Sequence, residues 1–207
     1  MPGLSLRHLL RLHDSTRRAC ILLLATTAVV VSGCRTLMPA DEAGITASRP
    51  HVGHFDLEGR ISATDGERGA NGSLLWSHRP DRDEWTLLSP LGQIVARLSR
   101  DPSGARLDTG DGRPVFAESV DAMLPELLGV PAPVDGLAYW VQASVRPGAR
   151  VLAFDGAGRP ARITDAGWII DYLAYADGEP DAPPRRIEAV WGEARIRLVI
   201  DHWSGAQ

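Results

Sequence analysis

From residue 55 onward the chain alternates. Phe55, Leu57, Gly59, Ile61 and Ala63 interleave with Asp56, Glu58, Arg60 and Ser62, a period of two that sends one face of a strand to a core and the other to water. Asp65-Gly66 then turns the chain. The same reading predicts strands at Gly72–His78, Glu84–Ser89, Gln93–Arg100, Ala105–Thr109 and Pro114–Ala117. Over 119–128 the period changes: Val120, Met123, Leu124, Leu127 and Leu128 stand at helical spacing, with Ser119 placed to cap and Gly129 to stop the run. Pro125 lies inside and should bend or shorten this helix. A second helix is expected at Val134–Gln142. Strands return at Arg150–Phe154, Ala161–Asp165, Trp168–Tyr175, Arg186–Trp191 and Ala194–Trp203. About ten short strands at hairpin spacing, with two helices midway, predict a mainly β (α+β) fold. It should be one curved antiparallel sheet, closed or partly closed, with the helices on its concave side.

The first 33 residues follow a different rule. Arg7, Arg11, Arg17 and Arg18 stand against one acid, Asp14, and an apolar run from Ile21 to Val31 follows. Val31-Ser32-Gly33-Cys34 closes it. A basic segment, a short apolar segment and small residues before a cleavage point make a secretory signal. As a helix, 19–32 would reach only ~21 Å, short of the ~30 Å hydrocarbon core of a bilayer. Val-Ser-Gly-Cys is similar to the bacterial lipobox, in which the cysteine becomes the first residue and carries acyl chains. Arg35 follows, not the Asp that resembles an inner-membrane retention signal, which favours the outer membrane. Arg17-Arg18 also fits twin-Arg export, although the general route is preferred. The domain reading is therefore 1–33 signal peptide, 34–53 acylated Cys34 and tether, with a short helix at 40–47, and 54–207 one folded domain.

Composition narrows the chemistry. With 44% hydrophobic and 23% charged residues, the 207-residue chain is globular. All 22 basic residues are Arg, so lysine-dependent phosphate binding, Schiff bases and Ser–Lys dyads are excluded. Both cysteines, Cys20 and Cys34, precede the folded body, which leaves it without a disulfide, a thiolate zinc site or a catalytic cysteine. A net charge of −4 argues against a nucleic-acid partner. No G-x-S-x-G, H-E-x-x-H or G-x-G-x-x-G occurs. His51 and His54 read as a solvated linker pair. Asp201 and His202, adjacent on a strand, should face opposite sides and cannot easily form part of a triad. Asp81, Asp83 and Glu84 read as solvated surface. No catalytic residue, metal or cofactor is expected.

The six Trp stand on separate elements and read as core and cavity wall; Trp76, Leu87, Trp140, Trp168 and Leu198 are the candidate walls of an apolar cavity. One turn is unusual. Pro90-Leu91-Gly92 joins two strands, where polar residues are the rule. Pro90 fixes φ and Gly92 supplies freedom, so Leu91 is held at the tip. Spacing alone leaves it equally able to tuck inward or to project into solvent or lipid.

A resemblance gathers these pieces. Phe55-Asp-Leu-Glu-Gly-Arg-Ile61, Gly72-Ser-Leu-Leu-Trp76, Leu87-Leu-Ser-Pro-Leu-Gly-Gln93, Leu127-Leu-Gly129 with Pro133-Val134, Leu137-Ala-Tyr-Trp140, Gly167-Trp-Ile-Ile-Asp-Tyr172 and Ile196-Arg-Leu-Val-Ile-Asp-His-Trp203 follow in an order that resembles the LolB family. The resemblance implies an open antiparallel β half-barrel of about ten to eleven strands, with helices covering an apolar cavity. It implies a monomer anchored by lipid to the periplasmic face of the outer membrane of a Gram-negative bacterium. There it would accept acylated lipoproteins from the soluble carrier LolA and insert them into the inner leaflet, with Pro90, Leu91 and Gly92 as the loop that enters outer-membrane lipid. The competing reading is a structural or other ligand-binding lipoprotein without transfer activity.

Overall fold

The computed structural model describes residues 38–39 and 49–205, apart from 111 and 131. The signal segment, Cys34 and the helix expected at 40–47 lie outside the described residues. Among these residues one antiparallel sheet of twelve strands forms. They are β1 (Met38–Pro39), β2 (Phe55–Thr64), β3 (Gly69–Arg79), β4 (Arg82–Leu88), β5 (Ile94–Asp101), β6 (Gly104–Thr109), β7 (Val115–Ala117), β8 (Arg150–Phe154), β9 (Pro160–Asp165), β10 (Trp168–Tyr175), β11 (Pro184–Trp191) and β12 (Ala194–Gly205). The order β1-β8-β9-β10-β11-β12-β2-β3-β4-β5-β6-β7 leaves β1 and β7 as edges, so the sheet is open. Eleven strands exceed two residues, in line with the strand pattern.

The last strand closes against the first long one. β12 pairs with β2 from Arg195↔Thr64 to Gly205↔Phe55. Close approach of the neighbouring backbone needs glycine here. A Cβ on Gly59 would stand 2.4 Å from the Val199 carbonyl oxygen, and one on Gly72 would stand 2.2 Å from that of Leu88. Any side chain at either position would push neighbouring strands apart.

The alternation reads through to burial. Phe55, Leu57 and Ala63 are buried on β2, Leu74 and Trp76 on β3, Trp85 and Leu87 on β4, and Ile196, Leu198 and Ile200 on β12. Two expectations change. The helix over 119–128 is broken into a 3-10 turn at Val120–Ala122 and a five-residue helix α1 at Leu124–Leu128. Pro125 sits in the first turn of α1, where a missing N–H costs nothing. It therefore sets where the helix starts, and Ser119 makes no side-chain cap. The second helix, α2, spans Val134–Trp140. At the end of β12 a bulge falls between Ile200 and His202. Asp201 and His202 are thus both exposed, not on opposite faces. Asp201 accepts two bonds from Arg60, at 3.0 and 3.1 Å.

Candidate functional site

The concave face of β2, β3, β4, β5 and β12 meets α1 and α2 around an apolar cavity. Its strand walls include Ile61, Leu74, Trp76, Trp85, Leu87, Leu98, Ile196 and Leu198. Leu124 and Leu128 of α1, and Val134 and Leu137 of α2, cover it. Every wall residue is apolar. The cavity measures about 70 Å3.

Trp76, Leu87 and Leu198 stand in this wall; Trp140 and Trp168 are not among its lining residues. They form a second aromatic group, their ring centroids 5.7 Å apart, with Trp191 6.2 Å from Trp168. Trp85, Leu74 and Ile196 were available to pattern reasoning, since each lies two residues from a named wall position on the same strand face. The α1 and α2 contributions were not, because a helix touching a sheet leaves no mark on the sheet's own period.

Parity also exposes a polar cluster that the sequence reading took for surface. Asp83 shares a face with Trp85 and Leu87, and its side chain is fully buried. It accepts the Trp76 indole N–H at 2.7 Å and the Arg100 Nε–H at 2.6 Å, and it lies 2.7 Å from His78 Nδ1. Burial pushes the Asp83 carboxyl up, but bonds from His78 and Trp76 and the charges of His78 and Arg100 outweigh it and leave its pKa lowered. Arg100 reaches on to Asp135 in the first turn of α2, at 2.6 Å. At the other end of α2, the Trp140 indole donates to buried Asp165 at 2.7 Å, and Arg146 pairs with the same carboxylate at 2.8 Å. Asp121, in the 3-10 turn, accepts the Val134 N–H at 2.9 Å and so caps α2 from thirteen residues upstream.

The chain entering the domain is docked on α2. His51 stacks on Tyr139, centroids 4.1 Å apart. Gln142 accepts the Val52 N–H at 2.7 Å and donates to the Val52 carbonyl at 3.2 Å. His51 is therefore not a free linker residue. Burial, then the charge of His78, lowers its pKa below the usual histidine range. Among the described residues no group of His, Cys, Asp and Glu is arranged to hold a metal.

The turn between β4 and β5 projects away from all of this. Leu91 is 88% exposed. Ile94 and Val95, where β5 begins, are also exposed. Gly92 takes a φ of 79°, the left-handed conformation that glycine adopts without strain.

The chain is similar to proteins already described. The family model described as "Outer membrane lipoprotein LolB" matches residues 53–203. An "Outer-membrane lipoprotein LolB" of Azoarcus sp. (strain BH72) is 45% identical over 187 residues, covering 90% of this chain and 96% of the relative. One from Thiobacillus denitrificans is 39% identical over 185 residues, covering 88% and 96%. A crystal structure of a LolA superfamily protein from Nitrosomonas europaea is 9% identical, with a TM-score of 0.45, and covers 77% of this chain and 89% of its own.

Proposed function

The chain belongs to the LolB family of outer-membrane lipoproteins, and from that premise we propose that it is the outer-membrane receptor that takes acylated lipoproteins from the LolA carrier and releases them into the inner leaflet. It works as a monomer without cofactor or catalytic step. Cys34 is its lipid anchor, at the end of Val31-Ser32-Gly33-Cys34.

The observation that carries the reading is the wholly apolar cavity beneath two short helices. An acyl chain of ~15 CH2 groups carries roughly 12 kcal/mol of transfer free energy. A site that receives it must offer a comparable apolar surface, and needs no proton transfer. At about 70 Å3 the cavity is small for such a chain, and on this reading α1 or α2 shifts as cargo seats. Leu91 then serves release: an apolar tip held clear of the domain enters the acyl region of the membrane, and cargo follows.

The test is titration of the protein with an apolar fluorescent probe, with and without a competing acylated peptide. Micromolar binding displaced by the acylated peptide, and not by its unacylated form, is expected. No binding would favour the structural lipoprotein, whose core the small cavity would also suit.

A further inference from the structure

We propose that the Ser89 side chain makes the 89–93 turn fit to enter hydrocarbon, by closing the turn's backbone donors before any lipid is met. The proposal rests on the reading above that Leu91 enters the membrane.

The donors can be counted through the turn. The Ser89 N–H donates to the Gln93 carbonyl at 2.8 Å. Pro90 has no N–H. The Leu91 N–H donates to Ser89 Oγ at 3.3 Å. The Gly92 N–H donates to the Ser89 carbonyl at 2.8 Å. The Gln93 N–H donates to Ser89 Oγ at 3.3 Å. Every backbone N–H from 89 to 93 is thus bonded within the turn, and two of the four end on one hydroxyl, which has two lone pairs to offer.

This identifies the occupant of the tip. In water, an open donor finds a solvent partner at once, so closing all four gains little. A protein strand that docked by backbone pairing would need donors left open. Hydrocarbon offers no partner at all, and an unsatisfied N–H there is heavily penalised. A turn whose N–H donors are all closed, with Leu91 at its apex and exposed Ile94 and Val95 following it in the chain, fits the boundary of the acyl region of a bilayer, where its carbonyls can still face headgroups. Leu91 touches the lipid; Ser89 is a positioning residue that acts through the backbone.

The experiment uses the full acylated chain and four forms: wild type, Ser89→Ala, Ser89→Thr and Leu91→Glu. Three quantities are read: uptake of an acylated lipoprotein from its carrier complex, transfer of that cargo into outer-membrane lipid vesicles, and amide hydrogen exchange at Leu91 and Gln93 in detergent solution. Ser89→Ala should speed exchange at both amides and slow transfer at least about tenfold, with uptake unchanged. Ser89→Thr keeps the acceptor and should restore both. Two results overturn the proposal: rapid exchange at the two amides of wild type, whatever the variants do, or wild-type transfer by Ser89→Ala while Leu91→Glu is impaired. Wild-type transfer by Leu91→Glu overturns the membrane role of the turn itself, and is distinguishable from either.

Discussion

Both helices over the cavity set apolar side chains on its wall, and among the described side chains α2 adds polar ties at its two ends. α2 is tied by charge and hydrogen bonds at both ends: Asp135 to Arg100 and its buried partner Asp83, Trp140 to Asp165. Beyond its last turn Gln142 binds the Val52 backbone. α1 is five residues long, is closed by the Gly129 N–H on the Pro125 carbonyl, and places Leu124 and Leu128 against the apolar wall. Polar ties are directional and fail abruptly when a buried carboxylate is displaced. Apolar contact is non-directional, and an acyl chain can replace it methylene for methylene. On the function proposed above, the side of the cavity covered by α1 is the side we expect cargo to open, with α2 as the frame.

This contrast can be broken most severely at Asp83. Asp83→Ala leaves the Trp76 indole and His78 without their acceptor, and the Arg100 guanidinium with Asp135 alone. A loss of about 3–5 kcal/mol is expected in urea unfolding, and a loss below about 1 kcal/mol would mean that α2 is not anchored there. Next comes Trp140→Phe, which deletes the bond to Asp165 and shrinks a buried indole to a phenyl, for about 2–3 kcal/mol in sum; calorimetry should register it with little change in probe affinity. Leu124→Ala on α1 is expected to cost about 2 kcal/mol, the low end for such truncations, because the side chain already borders a void. It should speed probe uptake in stopped-flow fluorescence, whereas the Asp83 change acts on the fold; unchanged uptake would remove α1 as the moving part.

The smallest effect is one of pH. The His51 pKa lies below the ordinary value of 6.5, so the folded chain takes up this proton less readily than the unfolded chain. The contribution is complete above about 6.5 and is lost as pH falls from there toward the lower folded value. The Val52 amide should thus lose hydrogen-exchange protection between pH 7 and 5, and His51→Asn should abolish that dependence. Asp83 behaves with the same sign at lower pH. Its folded pKa is depressed, so its stabilisation holds above the usual carboxylate value of about 3.9 and vanishes as pH falls through the folded one.

What was legible from residues alone follows this same division. Period-two alternation exposed the strands and, through Trp76, Leu87 and Leu198, part of the cavity wall, because each of those facts is local. Asp83 was read as surface, since a carboxylate next to Asp81 and Arg82 looks solvated; only its parity with Trp85 marked it as buried. Pro125 marked the helix as shortened, as it is, but the break at Met123 was not legible because helical spacing continues across it, and Pro125 was read as an interior defect instead of a first-turn residue. Trp140 and Trp168 were grouped with the wall because the Trp residues are spread one to an element, while the structure sets their partners around Asp165 and Trp191. The docking of His51 and Val52 on α2 joins segments about ninety residues apart; no local period carries that.

An open sheet has a cost that a barrel does not: two rows of backbone groups able to pair with another copy. Anchored proteins share a surface, where encounters between copies are confined to two dimensions and edges meet in similar orientations. Both edges here are short. β7 has three residues, and β1 has two, one of them Pro39 without an N–H to offer. A neighbouring molecule would find only a few open groups on either terminal strand from which to extend the sheet. An open sheet can thus carry margins that give a second copy little to pair with.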